Sequence, residues 1–310
     1  MYPYEIFFGL TLYDIFIALG VAAAILLFSF LADKRGLKNA LQRLVMLCTL
    51  CALAGGWFFA LLTQSIYNYL ETGVFEWGGM TFYGGFVGGA GIFLLVYFVG
   101  GKIAFKNFDS PRYYLEKFFT VADIAVCCVC AAHALGRIGC LFAGCCHGKV
   151  YVEKRAFTVP LLTISSGGNL LKTEYTVPVQ LYESLFLIAL GAFLVFRVLR
   201  KKTFGLPLYL ALYGVWRFLI EYARADDRGA TIVSFLSPSQ LVAIVLIAVA
   251  AAVFYAEKRL QKTAGAGATS GAGVDSGEMA GGAESGAGAS DCANDDGGAS
   301  AGGGAKDGRE

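Results

Sequence analysis

Four short runs in this sequence place ionisable side chains inside apolar stretches, where such groups are costly and each needs a reason. The first reads His133-Ala-Leu-Gly136-Arg137-Ile-Gly139-Cys140 and continues to Gly144-Cys145-Cys146-His147-Gly148. His133 and Arg137 are four apart and share a helix face. Gly136 and Gly139 remove bulk beside the arginine, which admits another helix or a ligand headgroup. The second is Tyr213-Gly-Val-Trp-Arg217-Phe-Leu-Ile-Glu221-Tyr-Ala-Arg224, one polar stripe on an otherwise apolar helix. The third is Tyr83 followed by Gly84-Gly85 and Gly88-Gly89, a spacing whose default meaning is helix packing. The fourth is Pro178-Val-Gln180-Leu-Tyr182-Glu183. Two arginines converging against glycine-lined helices suit an anionic phosphate headgroup: the planar fork meets phosphate at two points and keeps its proton. The bland readings are an Arg137 that snorkels to an interface, which leaves the glycines without a reason, and an Arg217–Glu221 pair that only holds helices together.

Cysteine offers a second chemistry. Cys127, Cys128, Cys130, Cys140, Cys145 and Cys146 crowd into one stretch with His147. Cys140-x4-Cys145-Cys146-His147 has ligand types for zinc or a softer metal, or thiols for disulfide exchange in an oxidising compartment. The spacing lacks a CxxC pair, and cysteine packs well as a small apolar residue, so no metal site is expected. Packing is the reading for Cys48 and Cys51 as well. No phosphate loop or dinucleotide fingerprint is present, and no cofactor is implied.

The elements that position these residues follow from composition. Of 310 residues 57% are hydrophobic and 15% charged, and the mean hydropathy is +0.62. A soluble domain carries about a quarter charged residues. A net charge of +2 gives no footing for nucleic acid. Seven apolar runs, at roughly 11–31, 44–66, 81–100, 119–142, 179–199, 204–222 and 236–256, predict an all-α polytopic membrane protein with seven transmembrane helices of about 20 residues each. Lys34, Arg35, Lys38 and Arg43 follow the first run, and Lys102, Lys106, Arg112 and Lys117 follow the third. Arg197, Arg200, Lys201 and Lys202 follow the fifth, and Lys258, Arg259 and Lys262 the seventh. The second connection holds Glu71 and Glu76 and no basic residue; the fourth holds Lys149, Lys154, Arg155 and Lys172 but is long enough to fold outside, where charge bias has less force. The positive-inside bias therefore puts the N-terminus outside and the C-terminus in the cytoplasm of a plasma (inner) membrane. No basic region precedes the first run, which is flanked by Glu5 and Asp14, so it reads as an inserted helix and not a cleaved signal. Residues 1–260 form the membrane domain, with 143–178 as an extracytoplasmic loop or small head. Residues 263–310, nearly all Gly, Ala, Ser and Asp around a lone Cys292, form a disordered cytoplasmic tail.

The order GG-motif, GRIG, QLYE, YGxxRFxxEYxR resembles the prolipoprotein diacylglyceryl transferases over about 1–260. The resemblance implies transfer of the diacylglyceryl group of phosphatidylglycerol to the lipobox cysteine of preprolipoproteins, releasing glycerol 1-phosphate, with preprolipoprotein signal peptides as partners. It implies that Arg137 and Arg217 hold the phosphate and that Tyr213 is the functional tyrosine. It further implies that Glu221 and Arg224 support them, that Gly139 and Gly148 belong to the family signature, and that Tyr13 falls on a tyrosine of the first helix. Gln180, Tyr182 and Glu183 match a motif read as structural. The chain departs from the pattern where many members have a histidine before the GG pair and this one has Tyr83. It also has Cys140 for the usual Asn and Cys145 for Glu. Tyr83, Tyr213, His133 and His147 all remain open as the proton acceptor. The alternatives are a same-fold lipid-dependent transferase with a different acceptor and a cysteine-based redox or metal-binding membrane protein.

Overall fold

The computed structural model of the protein describes residues 5–7, 9–108, 110–164, 170–224 and 236–271. A short antiparallel ribbon, β1 (Glu5–Phe7) and β2 (Leu10–Thr11), leads into helix α1 (Leu12–Lys34). Thr11 starts that helix with a capping box: its backbone N–H donates to Asp14 Oδ2 at 2.9 Å, and the Asp14 N–H donates back to Thr11 Oγ1 at 3.4 Å. There follow α2 (Asn39–Thr72), α3 (Phe82–Ala104), the single turn α4 (Tyr113–Glu116) and α5 (Phe118–Ala143). Strands β3 (Val150–Tyr151), β4 (Val159–Ile164) and β5 (Leu170–Thr176) come next, then α6 (Val179–Leu199), α7 (Gly205–Ile220) with a 3-10 turn over Glu221–Ala223, and α8 (Pro238–Gly271).

All seven expected runs are helical, and six of these helices are long and apolar enough to cross a membrane among the described residues. The exception is α7, whose 16 residues rise roughly 24 Å, short of the bilayer's hydrocarbon core of about 30 Å. The fold is mostly helical but not wholly so. Within the expected 143–178 loop, β3, β5 and β4 form a three-stranded antiparallel sheet in that order, with Val150 and Val159 both opposite Thr176. The chain divides into two compact units, Met1–Lys262 and Thr263–Glu310. In the second, the described residues continue α8 to Gly271, and residues 272–310 of the expected disordered tail, Cys292 among them, lie outside the described residues.

The main helix contacts are α2 with α3, α1 with α5 and α5 with α6, and small residues set how closely they approach. A Cβ added at Gly85 would lie 3.1 Å from the Gly56 carbonyl oxygen on α2, and one added at Gly20 of α1 would lie 3.1 Å from the Ala132 carbonyl oxygen on α5. Lipid is as apolar as leucine, so this close packing, and not burial from water, brings the helices together. The outer faces are correspondingly apolar and uncovered: Leu26 is 71% exposed, Leu70 78% and Ile103 72%.

The buried apolar core gathers toward one end of the bundle, around Leu31, Leu41, Tyr97, Phe105, Ile124 and Leu194. There Asp123 Oδ1 accepts from the Leu206 N–H at 2.8 Å, and Glu257 Oε1 accepts from the Phe204 N–H at 3.1 Å. Two carboxylates thus fix the start of α7 to α5 and α8 and complement the positive end of that helix. The opposite end, where α1, α3, α6 and α8 begin and α5 and α7 finish, holds the polar residues. The glycine contact makes a direct prediction. Gly85→Leu forces α2 and α3 apart and lowers the thermal midpoint in detergent, at a cost of about 1–3 kcal/mol typical of overpacking. A midpoint equal to wild type would show that the α2–α3 contact is not limiting.

Candidate active site

Glu183 stands at the centre of the polar end. It lies one turn into α6 and is fully buried. Arg137, near the end of α5, brings Nε to 2.9 Å of Glu183 Oε2, a close ion pair without full hydrogen-bond alignment. Tyr213 of α7 donates its hydroxyl to Glu183 Oε1 at 3.1 Å, and His133 Nε2 faces the same oxygen at 3.8 Å. The helical spacing His133–Arg137 places both on the face of α5 that meets α6. The rings are fixed by stacking: Tyr209 lies parallel to Tyr213 at 5.7 Å, and His133 meets Tyr213 edge-on at 5.5 Å.

One turn beyond Tyr213, Arg217 begins a second cluster. Its Nη1 pairs with Glu221 Oε2 at 2.9 Å and its Nη2 donates to Ser239 Oγ at 2.8 Å. Ser239 Oγ in turn lies 3.3 Å from the hydroxyl of Tyr83, so the start of α3 joins the network through the start of α8. Ser237 donates to Glu221 Oε1 at 2.9 Å, and Arg224 Nε stands 4.0 Å from Glu221 Oε2. Two clusters thus lie one turn apart on α7: Arg137, Glu183 and Tyr213 in one, Arg217, Glu221, Ser239 and Tyr83 in the other.

The two arginines are held differently. Both terminal nitrogens of Arg217 are committed to protein partners. Arg137 is engaged through Nε alone, and its two terminal nitrogens make no hydrogen bond or ion pair among the described residues. The site can therefore present a guanidinium fork, anchored on one side, to an anion beside a histidine and a buried carboxylate.

The expected site residues Arg137, Tyr213, Arg217, Glu221, Arg224 and Tyr83 fall in these two clusters. The other three have packing neighbours at their edge. A Cβ on Gly139 would stand 3.3 Å from both Phe16 Cβ and Tyr13 Cδ2, so that glycine seats α1 against α5, with Tyr13 as its neighbour. Gly148 pairs with Arg224 in an antiparallel bridge, and a Cβ there would lie 2.6 Å from the Ala223 carbonyl oxygen. Gly148 thus anchors the strand region to the end of α7. His147 turns Nδ1 to the Gly148 carbonyl oxygen at 3.0 Å. Glu183 and Ser239 were not foreseen in the site. Glu183 carries a sequence signal, a carboxylate within an apolar run. Ser239 carries none.

The departures Cys140 and Cys145 sit with Cys146 at the end of α5, where their three Sγ atoms lie within 4.8 Å of one another. The Cys145 thiol points back to the Cys140 carbonyl oxygen at 3.8 Å. Gln180, fully buried on α6, donates from Nε2 to the Cys145 carbonyl oxygen at 2.5 Å.

Comparison with known proteins meets this geometry. Residues 4–256 match the profile of prolipoprotein diacylglyceryl transferase. The chain belongs to this family. Among its relatives is phosphatidylglycerol–prolipoprotein diacylglyceryl transferase 2 of Clostridium perfringens, 30% identical over 248 residues, spanning 77% of this chain and 89% of that one. The Dehalococcoides mccartyi enzyme is 31% identical over 259 residues, spanning 81% and 90%. The Clostridium tetani enzyme is 29% identical over 255 residues, spanning 80% and 94%. The family is one of membrane transferases, and six apolar helices agree with a multi-pass member. Within its site, Ser239→Ala removes the hydroxyl that holds Arg217. A hydrogen bond to a charged group contributes about 1.5–3 kcal/mol, so diacylglyceryl transfer should fall by roughly 10- to 100-fold with the fold intact. An unchanged rate would show that Arg217 needs no second anchor.

Proposed function

We propose that this enzyme moves the diacylglyceryl group of phosphatidylglycerol onto the lipobox cysteine of preprolipoproteins, recognised at their signal peptides. The carrying observation is Arg137, whose terminal nitrogens make no hydrogen bond or ion pair among the described residues, near the cluster that holds Arg217. The proposed setting is the plasma (inner) membrane, N-terminus outside and C-terminus cytoplasmic. The alternation of basic connections supports that orientation. A seventh crossing is supported by α7 with its 3-10 turn, which together rise roughly 30 Å. Transfer then occurs at the outer face. The 1–260 domain carries it, and 143–178 forms the outer head.

In this reaction the acceptor thiolate attacks the glycerol carbon bonded to the phosphate oxygen. A carbon–sulfur bond forms, the carbon–oxygen bond breaks, and glycerol 1-phosphate leaves with the bonding pair. Negative charge grows on the leaving phosphate in the transition state, which is what a fixed guanidinium in low dielectric stabilises most. Arg137 meets the phosphate, and Arg217, locked by Glu221 and Ser239, sets the field behind it. His133 takes the thiol proton. It is the imidazole that faces Glu183, whereas His147 is turned to a backbone carbonyl and Tyr83 is bonded to Ser239.

Transfer from labelled phosphatidylglycerol to a lipobox peptide in liposomes tests the reading. Arg137→Ala and Arg217→Ala should each lower the rate by at least about 100-fold, the scale of losing one transition-state donor. A folded wild type that leaves the peptide unlabelled, beside an active relative, overturns it. His133→Gln should lower the rate by about 100-fold or more at neutral pH, with recovery as rising pH ionises the thiol. A flat ratio of wild-type to variant rates across pH would remove His133 from the proton step.

A further inference from the structure

Cys140, Cys145 and Cys146 make up the cluster that the transfer reaction leaves unused, and backbone geometry builds it. Helix α5 ends with Gly144 in the left-handed region at φ 74°. The Gly144 N–H donates to the Leu141 carbonyl oxygen at 3.3 Å and the Cys145 N–H to the Cys140 carbonyl oxygen at 3.2 Å. This pair of bonds defines a Schellman cap, in which the side chains at the two ends of the longer bond come into contact. Here those side chains are Cys140 and Cys145. The next residue, Cys146, also adopts a left-handed backbone, at φ 58°, a region that residues with a side chain seldom occupy. The result is three sulfur atoms within 4.8 Å of one another. Gln180 fixes the assembly to α6 through the Cys145 carbonyl. The cluster is open to ions: Cys145 is exposed and Cys140 and Cys146 are half-buried, while Cys127, Cys128 and Cys130 are buried in the bundle.

We propose that Cys140, Cys145 and Cys146 form a three-thiolate site for a soft metal cation with a filled d shell, the class of Zn2+, Cd2+ and Cu+. Metal–sulfur bonds of about 2.3 Å place sulfurs of one coordination sphere roughly 4 Å apart, so a small contraction of this cluster closes on an ion. Binding forms three metal–sulfur bonds and releases the thiol protons to solvent, with no change of oxidation state. Cys140 lies three residues beyond Arg137 on α5, so an occupied site stands one turn from the guanidinium that faces the lipid phosphate. The inference itself does not depend on the transfer reaction, and its test reads metal and not turnover.

The probe is Cd2+, added to the purified, reduced full-length protein in detergent. Ultraviolet thiolate-to-cadmium charge transfer reports coordination, and equilibrium dialysis reports stoichiometry. Wild type and a Cys48→Ser/Cys51→Ser control should each take up one tight cadmium per chain. The Cys140→Ser/Cys145→Ser/Cys146→Ser variant should lose it, and the single exposed change Cys145→Ser should weaken binding at least about tenfold, so that a folding defect in the triple variant does not decide the matter. Uptake unchanged in both variants overturns the site, as does absence of uptake by wild type whose thiols titrate as reduced.

Discussion

A carboxylate without solvent exposure, set among apolar helices, is the constraint on which the polar end of this protein depends. Burying an ion in low dielectric costs several kcal/mol unless partners return the lost solvation. Glu183 has Arg137 at 2.9 Å and the Tyr213 hydroxyl at 3.1 Å, contributed by α5 and α7. Each partner must arrive at the correct height along its helix, so the requirement fixes the register of three helices at once. Packing below the carboxylate cooperates: a Cβ added at Gly191 would lie 3.0 Å from Cys130 Cβ, so α5 and α6 run in close contact toward the ion pair. Phe186 stacks on Trp216 at 4.4 Å and aligns α6 with α7. Helix packing and charge neutralisation specify the same arrangement, which is the consistency a single native structure requires.

From that anchor the second cluster follows by helix geometry. Tyr213 and Arg217 are one turn apart, so fixing Tyr213 on Glu183 aims Arg217 toward the start of α8, where Ser239 receives it. Arg217 is consequently rigid, held at both terminal nitrogens. Arg137 is anchored at Nε and keeps the outer fork open. A rigid charge and a presented charge are different tools. The first holds a field in place without reorganisation cost, and the second makes the directional contacts that phosphate geometry favours. A lysine at 217 would lose the second anchor, and a lysine at 137 paired with Glu183 would have no outer fork left to present.

How much of this was legible in the sequence depended on whether the signal was local. Bilayer thickness imposes a run of about 20 apolar residues, so all seven helices were readable, and α7 is shorter than its apolar run because its last turn passes into the 3-10 turn over Glu221–Ala223. The stripe Tyr213, Arg217, Glu221 was readable because helical periodicity places it on one face. The partnership of Glu183 with Arg137 was not, since no spacing rule joins residues 46 positions apart on different helices. The same holds for Ser239. Glycine was ambiguous for a physical reason: a missing side chain admits a ligand or a helix equally well. At Gly139 the neighbours are Tyr13 and Phe16, and at Gly148 they are the backbone of Ala223 and the side chains of Val177 and Val179. The strands within 143–178 were hidden because their pairing is mainly between β4 and β5, across a connection with little alternation.

The three departures from the family pattern bear unequally on the chemistry. Tyr83, in the place of a histidine, keeps a hydroxyl on Ser239, so the position still feeds the group that holds Arg217. Cys140 and Cys145 stand beyond Arg137, in contact with each other and not with Glu183. The electrostatic network is therefore intact while the histidine before the GG pair is gone. Stabilising the leaving phosphate is usually the larger contribution to such a transfer, and general-base assistance is worth about 100- to 10,000-fold. A thiol with a pKa of about 8.5 supplies a few per cent of its nucleophilic form at neutral pH unaided. Under the proposed reaction the chain has kept the costly part of the machinery, a buried ion-paired carboxylate with two oriented guanidiniums, and has changed the part that the substrate's own acidity and His133 can replace.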